Sequence, residues 1–197
     1  MLLGDSSVAL GRCLTQCAGV DAEEIAPLAA LFSPVEAEAR TRLWDIGAPA
    51  PKLYFVQAGL VRLAYAQPDG KEYNKAFLRE GMFVPALSAS LTGQPTSFFA
   101  ETLERCHLHV ADFEQFRAAS IDDPVLTGVW RHFLEAQFVR QEQREAMLQM
   151  LDAKARYQRL RALEPELFER VPQYHIASYL GVTPVSLSRI RRELRSG

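Results

Sequence analysis

The stretch Gln173 to Leu194, QYHIASYLGVTPVSLSRIRREL, has the spacing needed to set a few polar and basic side chains against a nucleic-acid surface. Ser186, Ser188, Arg189 and Arg192 fall away from the apolar positions Leu187 and Ile190 of a short helix. Arginine and serine in such places hold phosphate or read base edges. Thr183 is a good N-cap and Pro184 suits the first helical position. Ahead of them, Ile176, Ala177 and Leu180 mark another short helix, which Gly181 can end in the left-handed conformation. The pattern predicts a helix-turn-helix, the arrangement that lays its second helix in the DNA major groove. Two readings compete with it: a helical hairpin that only packs a core, and one that contacts another protein. Salt-dependent binding to duplex DNA separates them from the first.

The rest of the chain must position that module. Its 197 residues suffice for one large or two small domains, and the net charge is −2. That charge is unevenly spread. From Asp152 onward nine Lys/Arg face five Asp/Glu, or +4, whereas the first 151 residues carry thirteen against nineteen, or −6. A basic end on an acidic body fits a nucleic-acid module joined to a sensing module. Cys13, Cys17 and Cys106 do not form a disulfide framework, which predicts a reducing compartment. With no signal peptide and no run of apolar residues long enough to span a bilayer, a cytoplasmic protein with no membrane partner is expected.

Asp21 to Phe32 predicts a short helix. Gly47, Gly59, Gly70, Gly81 and Gly93 then recur every eleven or twelve residues between short apolar runs, the beat of a small antiparallel barrel or sandwich. Val61, Leu63 and Tyr65 alternate with Arg62 and Ala64, and Pro68-Asp69-Gly70 predicts a turn. After Asp122-Asp123-Pro124 the period becomes helical. Leu126, Val129, Phe133, Ala136, Arg140, Gln143, Met147 and Met150 form a heptad seam, for which a parallel homodimer is the expected partner. Asp152 interrupts, and Ala153 to Leu163 predict one more helix.

In this order the segments resemble the Crp/Fnr family of transcription regulators. The resemblance is carried by GAPAPKLYFVQAGLVRL (Gly47 to Leu63), by DGKEYNKAFLREGMFV (Asp69 to Val84) and by the run from Leu151 to Leu194. It implies an α+β chain: an antiparallel β-roll sensor of the jelly-roll type over residues 1–121, a dimerisation helix over 122–151, and a helix-turn-helix domain over 152–197 with no evident wing. It also implies Asp152 at the hinge, with double-stranded DNA and RNA polymerase as partners; with no phosphate loop, zinc-ligand motif, nucleophile elbow or GxGxxG in the sequence, no enzymatic activity is expected.

The resemblance breaks at the effector site. Where the family places a Gly-Glu pair for the ribose of cyclic AMP, this chain has Pro85-Ala86, and where it places Arg-Ser for the cyclic phosphate, it has Thr96-Ser97. A phosphate without its arginine loses a charge-assisted partner. Dimer-helix positions that offer small hydroxyls to the base read Gln141 and Glu142. No cofactor and no cyclic-AMP dependence are therefore expected. A pocket for another effector would draw on Ala86, Ser88, Thr96, Ser97, Phe98, Phe99, Gln141 and Glu142, unless side chains fill it. The cysteines lack the spacing of the iron–sulfur branch, which leaves a redox- or metal-responsive regulator as a weaker alternative, and His107 and His109 read as surface residues with no metal.

In the recognition helix the resemblance points to Ser188 and Arg189 for base or phosphate contacts. Val185 stands where the family commonly has Glu, so a thymine methyl replaces cytosine as the group it would meet. Arg191, Arg192 and Arg195 serve the backbone, and without a wing Lys154, Arg156, Arg159, Tyr174 and His175 are candidate phosphate anchors.

Overall fold

The computed structural model describes residues 6–49 and 52–196; for residues 6–8, 17, 18 and 196 only the backbone is described. Two helices open the chain, α1 (Ser6–Ala18) and α2 (Ala22–Ala29). Asp21 caps α2 in a capping box, accepting from the N–H of Glu23 and Glu24 while Glu24 accepts from its own N–H.

Eight strands follow among the described residues: β1 (Ser33–Ala37), β2 (Arg42–Trp44), β3 (Lys52–Ala58), β4 (Val61–Ala66), β5 (Glu72–Leu78), β6 (Phe83–Val84), β7 (Phe99–Thr102) and β8 (Cys106–Asp112). They form two four-stranded sheets in the orders β1-β8-β3-β6 and β2-β7-β4-β5. Neighbours in the first sheet pair antiparallel, with Val35 opposite Leu108 and Phe55 opposite His109. The short α3 (Leu87–Thr92) interrupts the strands and α4 (Phe113–Asp122) follows them. Gly47, Gly59, Gly70 and Gly81 fall between strands as expected, whereas Gly93 ends α3 in the left-handed conformation.

Arg62 departs from simple alternation. All of Val61 to Ala64 is buried, and Arg62 meets Glu101 at 2.7–2.8 Å. Arg42 reaches the other oxygen of that carboxylate at 3.0 Å, and both guanidiniums lie over the Phe99 ring, 3.4 and 4.9 Å from its centroid. A buried charge is tolerated when paired and bonded in this way.

The long helix α5 (Thr127–Met150) is present, and the turn before it is closed by Asp123, whose carboxylate accepts from the Val125 N–H. Its heptad seam needs correcting as a dimer seam. Leu126, Val129 and Phe133 are buried in this chain's own core with Phe32, Phe55, Phe83 and Phe116. Phe133 stands edge-on to Phe83 at 5.7 Å and to Phe116 at 5.8 Å. Sequence spacing marks which residues share a stripe, not what covers it.

The remaining helices are α6 (Ala153–Leu163), α7 (Leu167–Arg170), α8 (Gln173–Leu180) and α9 (Pro184–Ser196). The chain divides into two compact units. One holds the described residues up to Leu63 together with Phe77–Gln137; the other holds Ala64–Ala76 and Phe138 onward. These differ from the expected boundaries at 121/122 and 151/152: α5 is shared between the units, and the β4–β5 hairpin belongs with the C-terminal helices. Side-chain hydrogen bonds account for that placement. Ser178 Oγ donates to the Glu72 carbonyl at 3.0 Å and accepts from the Asn74 N–H at 2.9 Å. Among the described residues no helix is long and apolar enough to cross a membrane.

Candidate nucleic-acid interface and sensor interior

The C-terminal unit is built outward from a small apolar core. Tyr157 and Leu160 of α6, Leu167, Ile176, Ala177, Leu180, Leu187 and Ile190 are buried. Asp152 caps α6 by accepting from the Ala155 N–H at 2.8 Å. Helix α8 ends on Gly181 at φ 67°, and the Val182 N–H returns to the Ala177 carbonyl at 3.0 Å, the closing bond of a Schellman turn. Thr183 Oγ1 then accepts from the Ser186 N–H at 3.1 Å and starts α9. Two helices therefore cross at the tight turn the residue pattern demands.

Helix α9 presents a basic outer face. Ser188, Arg191, Arg192 and Arg195, with Gln173 from the first turn of α8, line one open groove. Val185 projects beside the helix start and is 80 % exposed. Arg189 and Tyr174 are also exposed. Gln173 was not among the expected site residues; its only signal was its place in the first turn of a motif helix.

One expected role changes. His175 is buried at 7 % exposure, with Nδ1 lying 3.1 Å from Asn74 Nδ2 and its carbonyl accepting from the same nitrogen at 3.2 Å. It holds the hairpin rather than facing outward as a phosphate anchor. The Thr183 and Ser186 hydroxyls lie 2.9 Å apart at the helix start, with Thr183 exposed and Ser186 half-buried.

Of the expected effector residues, Ala86, Thr96, Phe98 and Phe99 are buried, and Ser88, Ser97, Gln141 and Glu142 are exposed. Thr96 is 2 % exposed, and its hydroxyl donates to the Asp45 carbonyl at 2.7 Å while its N–H donates to the Ala48 carbonyl at 2.9 Å. That hydroxyl closes a turn. Phe98 and Phe99 are buried, Phe98 edge-on to Trp44 at 6.0 Å and Phe99 under the Arg42 and Arg62 guanidiniums. Ala86 is buried at the start of α3, while Ser88 and Ser97 are exposed. Gln141 and Glu142 are exposed on α5, in the C-terminal unit.

Cys106 is fully buried, with its thiol near the Leu60 and Glu104 carbonyls. His109 is buried against Phe55, contrary to its expected place on the surface, because β8 is central in its sheet and covered there. His107 is exposed and meets Glu36 at 3.4 Å. The side chain of Cys17 lies outside the described residues. Among the described residues no three His, Cys, Asp or Glu side chains converge on a metal-sized site.

Residues 34–122 match the cyclic nucleotide-binding domain family. No curated protein matches the chain in sequence. Several solved structures share its fold. The c-di-GMP-responsive global regulator CLP of Xanthomonas campestris is 20% identical, with a TM-score of 0.68 over 89% of this chain and 92% of that one. FixK2 of Bradyrhizobium japonicum is 19% identical, with a TM-score of 0.67 over 84% of this chain and 85% of its own. A CRP-family transcriptional regulator of Thermus thermophilus is 22% identical, with a TM-score of 0.63 over 82% of this chain and 84% of its own. The α+β architecture of strands, long helix and C-terminal helices is thus shared with these three structures.

Proposed function

We propose that this chain, a cyclic nucleotide-binding domain carried on the Crp/Fnr fold, is a cytoplasmic, sequence-specific DNA-binding regulator of transcription that does not depend on cyclic AMP. The observation that carries this reading is the outer face of α9, where three arginines and Ser188 share one groove beside an exposed Val185. Arg191, Arg192 and Arg195 supply affinity through phosphates, and Ser188, Arg189 and Val185 supply sequence preference through base edges.

The regulator works as a homodimer on a two-fold site. Both recognition helices must then reach successive major-groove faces about 34 Å apart. Because Leu126, Val129 and Phe133 are used internally, the dimer contact falls on the later part of α5, where Phe138 is 70 % exposed and Met150 80 % exposed. Contact with RNA polymerase belongs to the same reading.

Cyclic-AMP independence rests on Thr96, whose hydroxyl is committed to the Asp45 carbonyl, and on Arg62 and Arg42, which are both paired with Glu101. Selection of random duplex DNA by the purified protein, with and without cyclic AMP, tests the whole reading. The expected outcome is one palindromic motif recovered equally in both. No enriched motif would refute DNA recognition, and enrichment only with cyclic AMP would refute the independence.

A further inference from the structure

A second cationic site lies inside the C-terminal unit. Arg140 and Arg144 from α5, Arg159 from α6, Glu164 just after α6, and Tyr179 from α8 line a cleft of about 90 Å³. Three guanidiniums against one carboxylate leave it two positive charges in excess. Arg144 is held at two points. Its Nη2 donates to the Tyr179 carbonyl in the last turn of α8, and its guanidinium carbon lies 3.9 Å from the Tyr179 ring centroid. Yet its Nη1 is buried with no hydrogen-bond acceptor, and so is Nε of Arg156.

A buried N–H without an acceptor costs about 1–3 kcal/mol, more on a charged group, so such groups call for an explanation. Burial holds the Arg144 guanidinium below its usual range; Tyr179 opposes this, and the charge of Arg156 adds to it. Packing of like charges on this scale is relieved by a compact anion with several acceptor oxygens.

We propose that this cleft binds a small tetrahedral oxyanion of the phosphate class. The anion accepts from Arg144 Nη1 and is neutralised by Arg140 and Arg159. The cleft is too small for a nucleotide, so the site is separate from any effector pocket of the sensor. It is separate also from the outer groove, which is lined by other residues. An anion here joins α5 to α6 and α8, so occupancy stiffens the framework on which α9 is mounted.

The test is calorimetric and spectroscopic, on the full chain with inorganic phosphate as probe and sodium chloride at equal ionic strength as reference. Phosphate is expected to raise the melting temperature saturably, and isothermal titration to give one site per chain. Arg159→Gln, an exposed position that leaves the fold intact, and Arg140→Gln are each expected to weaken phosphate binding roughly tenfold, the effect of losing one charge-assisted hydrogen bond. Arg192→Gln, in the outer groove, is expected to leave it unchanged. No saturable response beyond the chloride reference would overturn the proposal. So would binding that survives in Arg159→Gln and Arg140→Gln, or that is lost in Arg192→Gln alone.

Discussion

Asn74 and His175 are 101 residues apart in sequence, yet the Asn74 amide nitrogen serves both the ring Nδ1 and the backbone carbonyl of His175. Both hydrogens of one NH2 group are thereby directed at one residue. Nδ1 must accept, which places the ring proton on Nε2. Together with the Ser178 bridge to Glu72 and Asn74, this fastens the β4–β5 hairpin to the first motif helix.

Asn74→Ala removes a donor that serves two buried acceptors of His175. A loss of about 1–3 kcal/mol is expected in urea unfolding. Tyr73→Ala next to it, at an exposed position, is expected to change stability by less than about 0.5 kcal/mol. Equal losses at both positions would mean that the hairpin is held by something other than this pair.

Gly59 sits at φ 107°, and a Cβ there would lie 2.5 Å from the Cys106 sulfur and 2.9 Å from the Cys106 Cα. Backbone strain and overpacking act together, so Gly59→Ala is expected to cost about 2–6 kcal/mol. Gly181 has a looser surrounding, with Arg156 Nη1 at 3.4 Å from the would-be Cβ. Gly181→Ala should therefore cost only the left-handed conformation, about 1–2 kcal/mol, and Gly181→Asn less. Thermal unfolding of the three variants checks the order.

Val185 and Arg192 are expected to separate specificity from affinity. Arg192→Ala should lower DNA affinity for all sequences alike and reduce the slope of log K against log salt by about 1. Val185→Ala should alter discrimination at one half-site position by about 1 kcal/mol or more and leave the slope alone. Fluorescence anisotropy over a salt series, with the selected site and single-base variants, measures both. A uniform loss from Val185→Ala would remove it from base reading.

Burial raises the Tyr179 phenol above its ordinary range against the lowering charges of Arg144 and Arg140, and burial alone raises Tyr54. A folded state that holds these protons more tightly than the unfolded chain is favoured below the unfolded value of about 10. That contribution is lost as pH rises through the folded values. Stability should fall as the pH passes about 10 and climbs beyond it, and ultraviolet difference titration should show late-titrating tyrosines. Tyr179→Phe should flatten the fall. Titration of every tyrosine near the ordinary value of about 10 would contradict it.

Legibility followed sequence distance. The helix-turn-helix could be read because all its constraints, from Ala177 and Gly181 to Thr183 and Pro184, lie within a few residues of one another. Asp152 and Asp21 announced helix starts for the same reason. Long-range choices were invisible. Nothing near Arg62 reveals that Glu101 will take its charge, and nothing near Asn74 points to His175. The heptad seam of α5 was correctly periodic but could not announce that Phe83 and Phe116, not a second copy, would receive Phe133. Among the site residues, the α9 side chains on the outer face were legible from helical spacing, whereas the inward turn of His175 was not.

The hairpin's alliance with α8 has a consequence for synthesis on the ribosome. The Asn74 side chain emerges 101 residues ahead of its partner. At about 5–20 residues per second it waits roughly 5–20 s with its hydrogen bonds made to water. A nascent chain that has completed every strand of the roll is therefore still missing a fastening of two of them, which α8 supplies only once it too has been made.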